Sequence, residues 1–276
     1  MLTIKRISQK TVLCCGWFCL LYLLAFASHA DQINIKFAYI GNSDNSAFQG
    51  VSQGLNEANL QGQFLGQAYE LDIISLDNIN SVDLSAYIAL FVATDSDTLS
   101  MLGQTAPNHP VFNLIADDDT LREDCLANVL HIIPSQNMKN DAIGQWLKKH
   151  PDARVEAAAW HPAFVKFAAR DLNKRFRKAF AQDMDSEAWA GWAAVRMTAD
   201  TVVRESITRP DEMLSYLKTN LSFDGQKGLA MNFRETGQLR QILLLVDSGK
   251  LVGEAPVRGV VKSDNVDSLG ITDCPK

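Results

Sequence analysis

The sequence predicts an α/β fold built on a doubly wound, mostly parallel β-sheet. Strand-like segments alternate with amphipathic helical segments through the first half of the chain, which is typical of repeated βαβ units. The segment Tyr87–Ala93 is apolar throughout. Such a run is typical of a strand that is buried on both faces of a parallel sheet.

Ile33–Ile40 has the alternation of a β-strand and stops at Gly41. Apolar residues then recur every three or four positions, which predicts an amphipathic helix on the sheet. These residues are Phe48, Val51, Leu55 and Ala58. The same criteria predict strands at 69–75, 87–93 and 111–115, and helices at 96–104 and 77–84.

The pattern changes after residue 135. Helices are predicted at 136–149, 164–180 and 185–205, and the first of them ends at His150-Pro151 because proline cannot continue a helix. One strand is predicted at 153–160. The end of the chain is rich in strand-like patterns, and strands are predicted there at 228–233, 239–246 and 251–257.

Residues 1–30 have the pattern of a secretory signal peptide. A basic start is followed by an uncharged apolar run at 11–26 and by the small-residue site Ala27-Ser28-His29-Ala30, so cleavage is expected after Ala30. An uncleaved membrane anchor is the alternative, although the run is short for a membrane span. Large residues before the early cysteines disfavour a lipoprotein. The sequence therefore predicts a periplasmic protein with no membrane insertion after cleavage.

Cleavage after residue 30 of the 276-residue chain would leave 246 residues, with 23 basic and 32 acidic side chains after Lys5, Arg6 and Lys10 are lost. This acidic balance disfavours a nucleic-acid partner. Cys125 and Cys274 alone would remain, and an oxidising compartment makes them a disulfide candidate. Two free thiols are the alternative. Their isolation disfavours a metal site, and no metal or cofactor is expected.

Polar residues follow the first, third and fourth predicted strands, where open α/β sheets bind ligands. The three loops are expected to converge on one edge of the sheet. Several of these residues have a second interpretation as helix N-caps, and the aspartates after the fourth strand as a solvated acidic turn. The candidate ligand-binding residues are Ser43, Asn45, Ser46, Thr94, Asp95, Ser96, Asp117 and Asp118.

The sequence contains none of the common catalytic motifs, and its histidines after residue 30 fall on separate predicted elements, so an enzyme is not expected. The predicted helix 164–180 carries a basic face in an acidic protein. Such a face is either simply solvated or a docking surface for an acidic partner. Its candidate partner-binding residues are Arg170, Lys174 and Lys178.

Several segments resemble type 1 periplasmic binding proteins of the branched-chain amino acid receptor kind. They include Gly41-Asn42-Ser43 after the first strand and the late run Phe223-Asp224-Gly225-Gln226-Lys227-Gly228. Other segments are more narrowly similar to the ABC transporter substrate-binding proteins associated with PQQ-dependent alcohol dehydrogenase systems. They are Glu123–Asn128 through Ile133–Ser135, Ala159-Trp160-His161, Trp189–Arg196, Gly237–Gln241 and Ser268–Gly270.

This resemblance implies a solute-binding protein that takes a small-molecule ligand and works with an ABC permease or a periplasmic quinoprotein dehydrogenase. It also implies two lobes. The first would comprise residues 31–134 and 182–238, and a shortened second lobe would comprise 135–181 and 239–276. A non-transport accessory or scaffold protein that retains the fold is the alternative.

Overall fold

A computed structural model describes residues 32–271 and 273–274. Its central sheet has five strands in the order β2-β1-β3-β4-β5, and β1, β3, β4 and β5 run parallel. The bounds are Ile33–Gly41 for β1, Gln67–Ile74 for β2, Ala89–Ala93 for β3, Val111–Asn113 for β4 and Val129–His131 for β5. The predicted α/β class with a mostly parallel sheet is therefore confirmed.

Seven α-helices lie in the described part of the chain. They are α1 Ser46–Leu65, α2 Ser96–Thr105, α3 Thr120–Glu123, α4 Gln136–Leu147, α5 Ala169–Phe180, α6 Ser186–Glu205 and α7 Pro210–Thr219. Helices α1 and α6 pack closely against each other. A Cβ on Gly50 would lie 1.8 Å from the Ala188 carbonyl oxygen, and one on Gly191 would lie 2.2 Å from the Ala47 carbonyl oxygen. Only glycine permits this approach at the crossing.

The main core lies between the central sheet and the helices that cover one of its faces. Aromatic rings from neighbouring strands form a row across that face, with Phe37 and Phe91 centroids 5.1 Å apart and Phe91 and Phe112 centroids 5.7 Å apart. The same buried cluster includes Val51 of α1 and Val195 of α6. Strand β3 is buried on both faces of the sheet, which explains why it is apolar throughout.

A second sheet is antiparallel and has three strands in the order β6-β7-β8. Its strands are β6 Glu156–Ala158, β7 Leu243–Asp247 and β8 Lys250–Ala255. Met138 and Ala142 of α4 pack in one buried cluster with Leu243 and Leu245 of β7. This sheet therefore has its own small core.

Helix α5 packs on the main core. Phe176 belongs to the same buried cluster as Phe37, and Arg175 Nε lies 2.7 Å from Glu57 Oε1 of α1. Within the predicted 135–181 segment, β6 is therefore a strand of the second sheet and α4 packs against that sheet. Helix α5 lies against α1 instead. The division into two lobes stays a prediction.

Several predicted element bounds are wrong. No strand forms at 228–233, where Met231 and Phe233 make isolated bridges only, and β7 begins at Leu243 rather than 239. Helix α5 begins at Ala169 because the preceding residues form turns. The predicted helix at 77–84 is replaced by two short 3₁₀ segments at Leu76–Ser81 and Leu84–Ala86. Strand β5 and helix α7 were not predicted.

The predicted signal peptide lies outside the described residues. Among the residues that the structure describes, none of the helices combines the length and the apolar character needed to cross a membrane.

Candidate functional site

The carboxyl ends of β1, β3 and β4 meet at one edge of the central sheet, as the sequence predicts. A concavity of about 400 Å³ lies between the loops after β3 and β4. A second concavity of about 570 Å³ lies beside it, between the loops after β1, β2 and β3, and both are lined by Thr94 and Asp95. We call the two together the strand-end cleft. Other lining residues include Ser43, Asp77, Ser96, Asp97 and Asp118.

Two hydroxyl groups line this cleft at the start of α2. Thr94 is largely buried, and its Oγ1 donates a hydrogen bond to the Asp95 carbonyl oxygen at 3.2 Å. Ser96 Oγ donates a short hydrogen bond to Asp118 Oδ2, which joins the loops after β3 and β4. Both hydroxyl oxygens retain acceptor lone pairs. The cleft can therefore accept hydrogen bonds from a ligand.

The N-cap interpretation is confirmed for two predicted residues. Asn45 Oδ1 accepts a hydrogen bond from Phe48 N at 2.9 Å at the start of α1. Asp95 Oδ1 accepts one from Thr98 N at 2.9 Å at the start of α2, and hydrogen bonds from Thr98 lower the pKa of Asp95. Asp95 caps a helix and also lines the cleft, whereas Asn45 does not line it.

Ser46 is also used within the protein. Its Oγ donates a hydrogen bond to Glu187 Oε2 at 3.2 Å, which links the first turns of α1 and α6. Burial raises the pKa of Glu187, and the negative charge of Asp185 raises it further, while the Ser46 hydrogen bond and the positive charge of Lys139 lower it. Ser46 therefore serves the α1–α6 contact and does not line the strand-end cleft.

The acidic turn after β4 binds the start of α4. Asp117 Oδ2 lies 2.6 Å from Lys139 Nζ, and Asn137 N donates to Asp119 Oδ1 at 3.0 Å. Of the three aspartates, Asp118 alone lines the cleft. Asp117 and Asp119 are therefore half-buried and bound to α4, whereas Asp118 is exposed. Within the described residues, His, Cys, Asp and Glu side chains form no group of three suited to a metal ion.

Arg122 holds the acidic turn from inside the protein. Its side chain is fully buried, and its Nη1 donates to the carbonyl oxygens of Ala116 and Asp118 at 2.9 and 2.8 Å. Nη2 donates to Ile133 O, and Nε donates to Gln238 Oε1 at 2.9 Å. Burial lowers the pKa of Arg122 to about 10, although the three neighbouring aspartates oppose the shift. Arg122 therefore fixes one wall of the cleft.

The base of the same wall is a buried amide–imidazole pair. Asn113 Nδ2 lies 2.9 Å from His131 Nδ1 and donates to Ala116 O at 2.7 Å. Because an amide nitrogen can only donate, His131 Nδ1 accepts and the imidazole is neutral. Burial holds the pKa of His131 well below its usual value, and the charge of Arg122 lowers it further. Neither Arg122 nor this pair has a recognisable pattern in the sequence, because each depends on contacts between distant segments.

The predicted basic face lies on the exposed side of α5. Arg170, Lys174 and Lys178 are spaced four residues apart and are exposed, and none of them forms an ion pair within the described part of the chain. Their neighbours Arg175 and Arg177 pair with Glu57 and Asp183. We call the three unpaired residues the basic stripe.

The predicted disulfide between Cys125 and Cys274 is present, and it joins residues 149 positions apart. The C-terminal segment that it anchors is also held by buried Arg234. Nη2 of Arg234 donates to Val266 O at 2.6 Å, and Nη1 donates to Leu269 O at 2.8 Å. The tail is therefore fixed to the body of the protein at two places.

This sheet order, with a cleft at the carboxyl ends of its parallel strands, belongs to the type 1 periplasmic binding protein fold. Comparison with solved structures shows the same fold. An ABC transporter substrate-binding protein from Desulfitobacterium hafniense matches with a TM-score of 0.66 and 12% identity, over 80% of this chain and 99% of that chain.

Two further structures give similar values. A branched-chain amino acid ABC transporter periplasmic ligand-binding protein from Burkholderia xenovorans has a TM-score of 0.67 and 12% identity, over 81% of this chain and 95% of its own. A branched-chain amino acid transporter substrate-binding protein from Streptococcus pneumoniae, in complex with isoleucine, has a TM-score of 0.64 and 10% identity, over 81% and 98%. No family model and no curated protein matches the chain.

Proposed function

We propose that this chain is a periplasmic solute-binding protein that delivers a small molecule to an ABC-type permease. The single observation that carries the proposal is the convergence of four strand-end loops, after β1, β2, β3 and β4, on one cleft that contains the hydroxyls of Thr94 and Ser96. The shared fold with substrate-binding proteins supports it. In this proposal the central sheet forms the ligand-binding lobe, and the second sheet with α4 forms a shortened second lobe.

The charge of the cleft restricts the ligand. Four aspartates line it, and among its described lining residues there is no Lys, Arg or His. A carboxylate ligand would be repelled by this arrangement, whereas a neutral hydroxyl compound or an amine would not. The four aspartates are Asp77, Asp95, Asp97 and Asp118. We therefore propose a neutral or cationic ligand with hydrogen-bond donors.

The resemblance of the segments Ala159–His161 and Trp189–Arg196 supports a link to periplasmic quinoprotein alcohol oxidation. Alcohols and aldehydes are uncharged, so they are compatible with an acidic cleft. This link rests on the sequence motifs alone.

The binding role is tested by thermal unfolding of the mature protein with alcohols, aldehydes, amines, sugars, amino acids and carboxylic acids. A ligand present at 100 times its Kd stabilises a protein by about 2.7 kcal/mol, which is readily measured as a rise in melting temperature. We expect Thr94→Val and Ser96→Ala to reduce that rise. Thr105→Ala is the matched control, because Thr105 is an exposed hydroxyl residue at the other end of α2. If no compound raises the melting temperature, the binding role is rejected.

The alternative is an accessory protein that retains the fold and binds an acidic protein partner. The observation that favours it is the basic stripe. Like charges four residues apart on a helix repel each other, and an acidic group on a partner would relieve that repulsion. The triple reversal of Arg170, Lys174 and Lys178 to Glu should then abolish recovery of that partner. Reversal of Lys148, Arg154 and Lys262 is a control with the same charge change. Equal recovery with both triple variants would exclude this alternative.

A further inference from the structure

An apolar ridge runs along the solvent side of α1. Leu60 and Phe64 stand one helical turn apart on it and are 61% and 88% exposed. Exposed Asn56 continues the row one turn back, and Leu65 at the end of the helix is 48% exposed. We call these four residues the α1 ridge. Exposed apolar side chains that adjoin one another, rather than lie scattered, are typical of an interaction surface.

The ridge lies on a rigid support. The other side of α1 packs closely against α6 and against β2. Asn59 Nδ2 donates a hydrogen bond to Tyr69 O at 2.9 Å, and Tyr69 N donates one to Asn59 Oδ1 at 2.8 Å. A Cβ on Gly62 would lie 2.4 Å from the Gln67 carbonyl oxygen, so the last turns of α1 touch the start of β2. Binding along the ridge therefore requires little ordering of the helix.

The helix that carries the ridge is almost free of charge. Glu57 is the only charged residue among the 20 of α1, although 21% of the whole chain is charged. Its carboxylate is already used: Arg175 Nε lies 2.7 Å from Oε1, and Trp192 Nε1 donates to Oε2 at 2.9 Å. Within α1, which the structure describes in full, no charge is therefore left unpaired.

This lack of charge decides which partner fits the ridge. An anionic membrane surface attracts lysine and arginine beside the apolar groups, and α1 contains neither. A second copy of the chain needs no opposite charge, because an apolar ridge is complementary to itself across a two-fold axis. The mature chain has 32 acidic against 23 basic side chains, so two copies repel each other elsewhere and approach most easily along this neutral helix.

We propose that the α1 ridge joins two copies of this chain into a two-fold symmetric dimer. Residues four apart on a helix form rows that interlock with the same rows of a second helix at about −50°. Leu60 of each copy would then lie at the axis, and Phe64 of each copy would pack beside Asn56 of the other. A contact along one helix belongs to the small, transient interfaces below about 1,200 Å². No residue of the ridge lines the strand-end cleft, so the dimer leaves that cleft open.

Sedimentation of the mature protein between about 1 µM and 1 mM tests the proposal. We expect a reversible monomer–dimer equilibrium that does not weaken in about 1 M salt, because no ion pair crosses the contact. Phe64→Ser should raise the dissociation constant at least about tenfold without lowering the melting temperature, because the side chain is 88% exposed. Phe167→Ser, at a phenylalanine outside α1 that is 62% exposed, is the matched control and should leave the equilibrium unchanged.

A cysteine at the axis gives an independent measurement. Cys125 and Cys274 are bonded to each other, so the mature Leu60→Cys variant carries one free thiol. Mild oxidation should link two copies of this variant, whereas Met101→Cys, at an exposed apolar position on α2, should stay unlinked.

Three results would overturn the proposal: a mature protein that stays monomeric at about 1 mM, equal effects of Phe64→Ser and Phe167→Ser, or equal linkage of the two cysteine variants. A monomer that sediments with lipid vesicles only when Phe64 is present would identify the ridge as a membrane contact, and that result also overturns it.

Discussion

Lys139 Nζ lies 2.6 Å from Asp117 Oδ2, and this ion pair joins α4 to the loop that follows β4. The same loop continues to Asp118, which lines the strand-end cleft. The pair therefore connects the second sheet and its helix to one wall of the cleft. It belongs to a larger set of contacts with α4 that also includes Asp119 and Asn137.

We predict that Lys139 and Asp117 contribute a coupling of less than about 1 kcal/mol to the free energy of unfolding, because both side chains are partly exposed. A double-mutant cycle with Lys139→Gln and Asp117→Asn, measured by urea unfolding, gives this value. The coupling should fall in about 1 M salt. A coupling above about 2 kcal/mol that is insensitive to salt would contradict the prediction.

Replacement of Arg122 by Leu should be far more costly. It removes the donors to three carbonyl oxygens and to Gln238 Oε1, all near a fully buried side chain. Ala116 O keeps a hydrogen bond from Asn113 and Ile133 O keeps one from Gln238. Hydrogen bonds from a charged donor contribute about 1.5–3 kcal/mol each, so we expect the loss of four of them to lower the free energy of unfolding by at least about 3 kcal/mol. Arg154→Leu, at an exposed position, is the control and should change it by less than about 0.5 kcal/mol. Similar effects of the two variants would refute the structural role of Arg122.

His131 should make the protein sensitive to acid. Its pKa in the folded protein is well below the usual 6.5, so the unfolded chain binds more protons between those two pKa values. The stabilising contribution of neutral His131 is present above pH 6.5 and is lost as the pH falls, by up to about 1.4 kcal/mol per pH unit.

Urea unfolding of the unmodified protein and His131→Leu between about pH 5 and 7.5 tests this slope. The variant is less stable overall, because Asn113 loses an acceptor, but its stability should change less with pH. His150→Gln, at an exposed position, should keep the original slope. Parallel pH profiles for the unmodified protein and His131→Leu would show that His131 is not responsible.

Loss of the disulfide should destabilise the protein. The bond joins residues 149 positions apart, and a disulfide typically contributes about 2–4 kcal/mol. We expect the double variant Cys125→Ser/Cys274→Ser to lose an amount in that range in urea unfolding. Thiol labelling of the denatured, unreduced mature protein should find no reactive thiol. Two thiols per chain would show that the bond does not form.

The central sheet could be predicted because its evidence is local. The apolar run that contains β3 and the alternation of β1 are visible in short windows of sequence, and so are the capping residues Asn45 and Asp95. Strand β5 has only three residues and gives no comparable pattern. Met231 and Phe233 each bridge to a single residue, so the strand-like pattern at 228–233 does not correspond to a strand.

The cleft was predictable in part. Loops that follow parallel strands must meet at one edge, so Thr94, Ser96 and Asp118 could be placed together from topology alone. The partners of Asp117 and Ser46 could not be predicted, because Lys139 and Glu187 lie on helices that are distant in sequence. Arg122 has no pattern of its own, and its role follows entirely from the folded contacts.

The central claim is that a ligand binds in the strand-end cleft, and a crystal structure of the mature protein with the best stabilising compound tests it most directly. We expect electron density for the ligand within hydrogen-bond distance of Thr94 Oγ1 or Ser96 Oγ, with no carboxylate of the ligand facing Asp118. Density for that compound only at another place in the protein would contradict the claim.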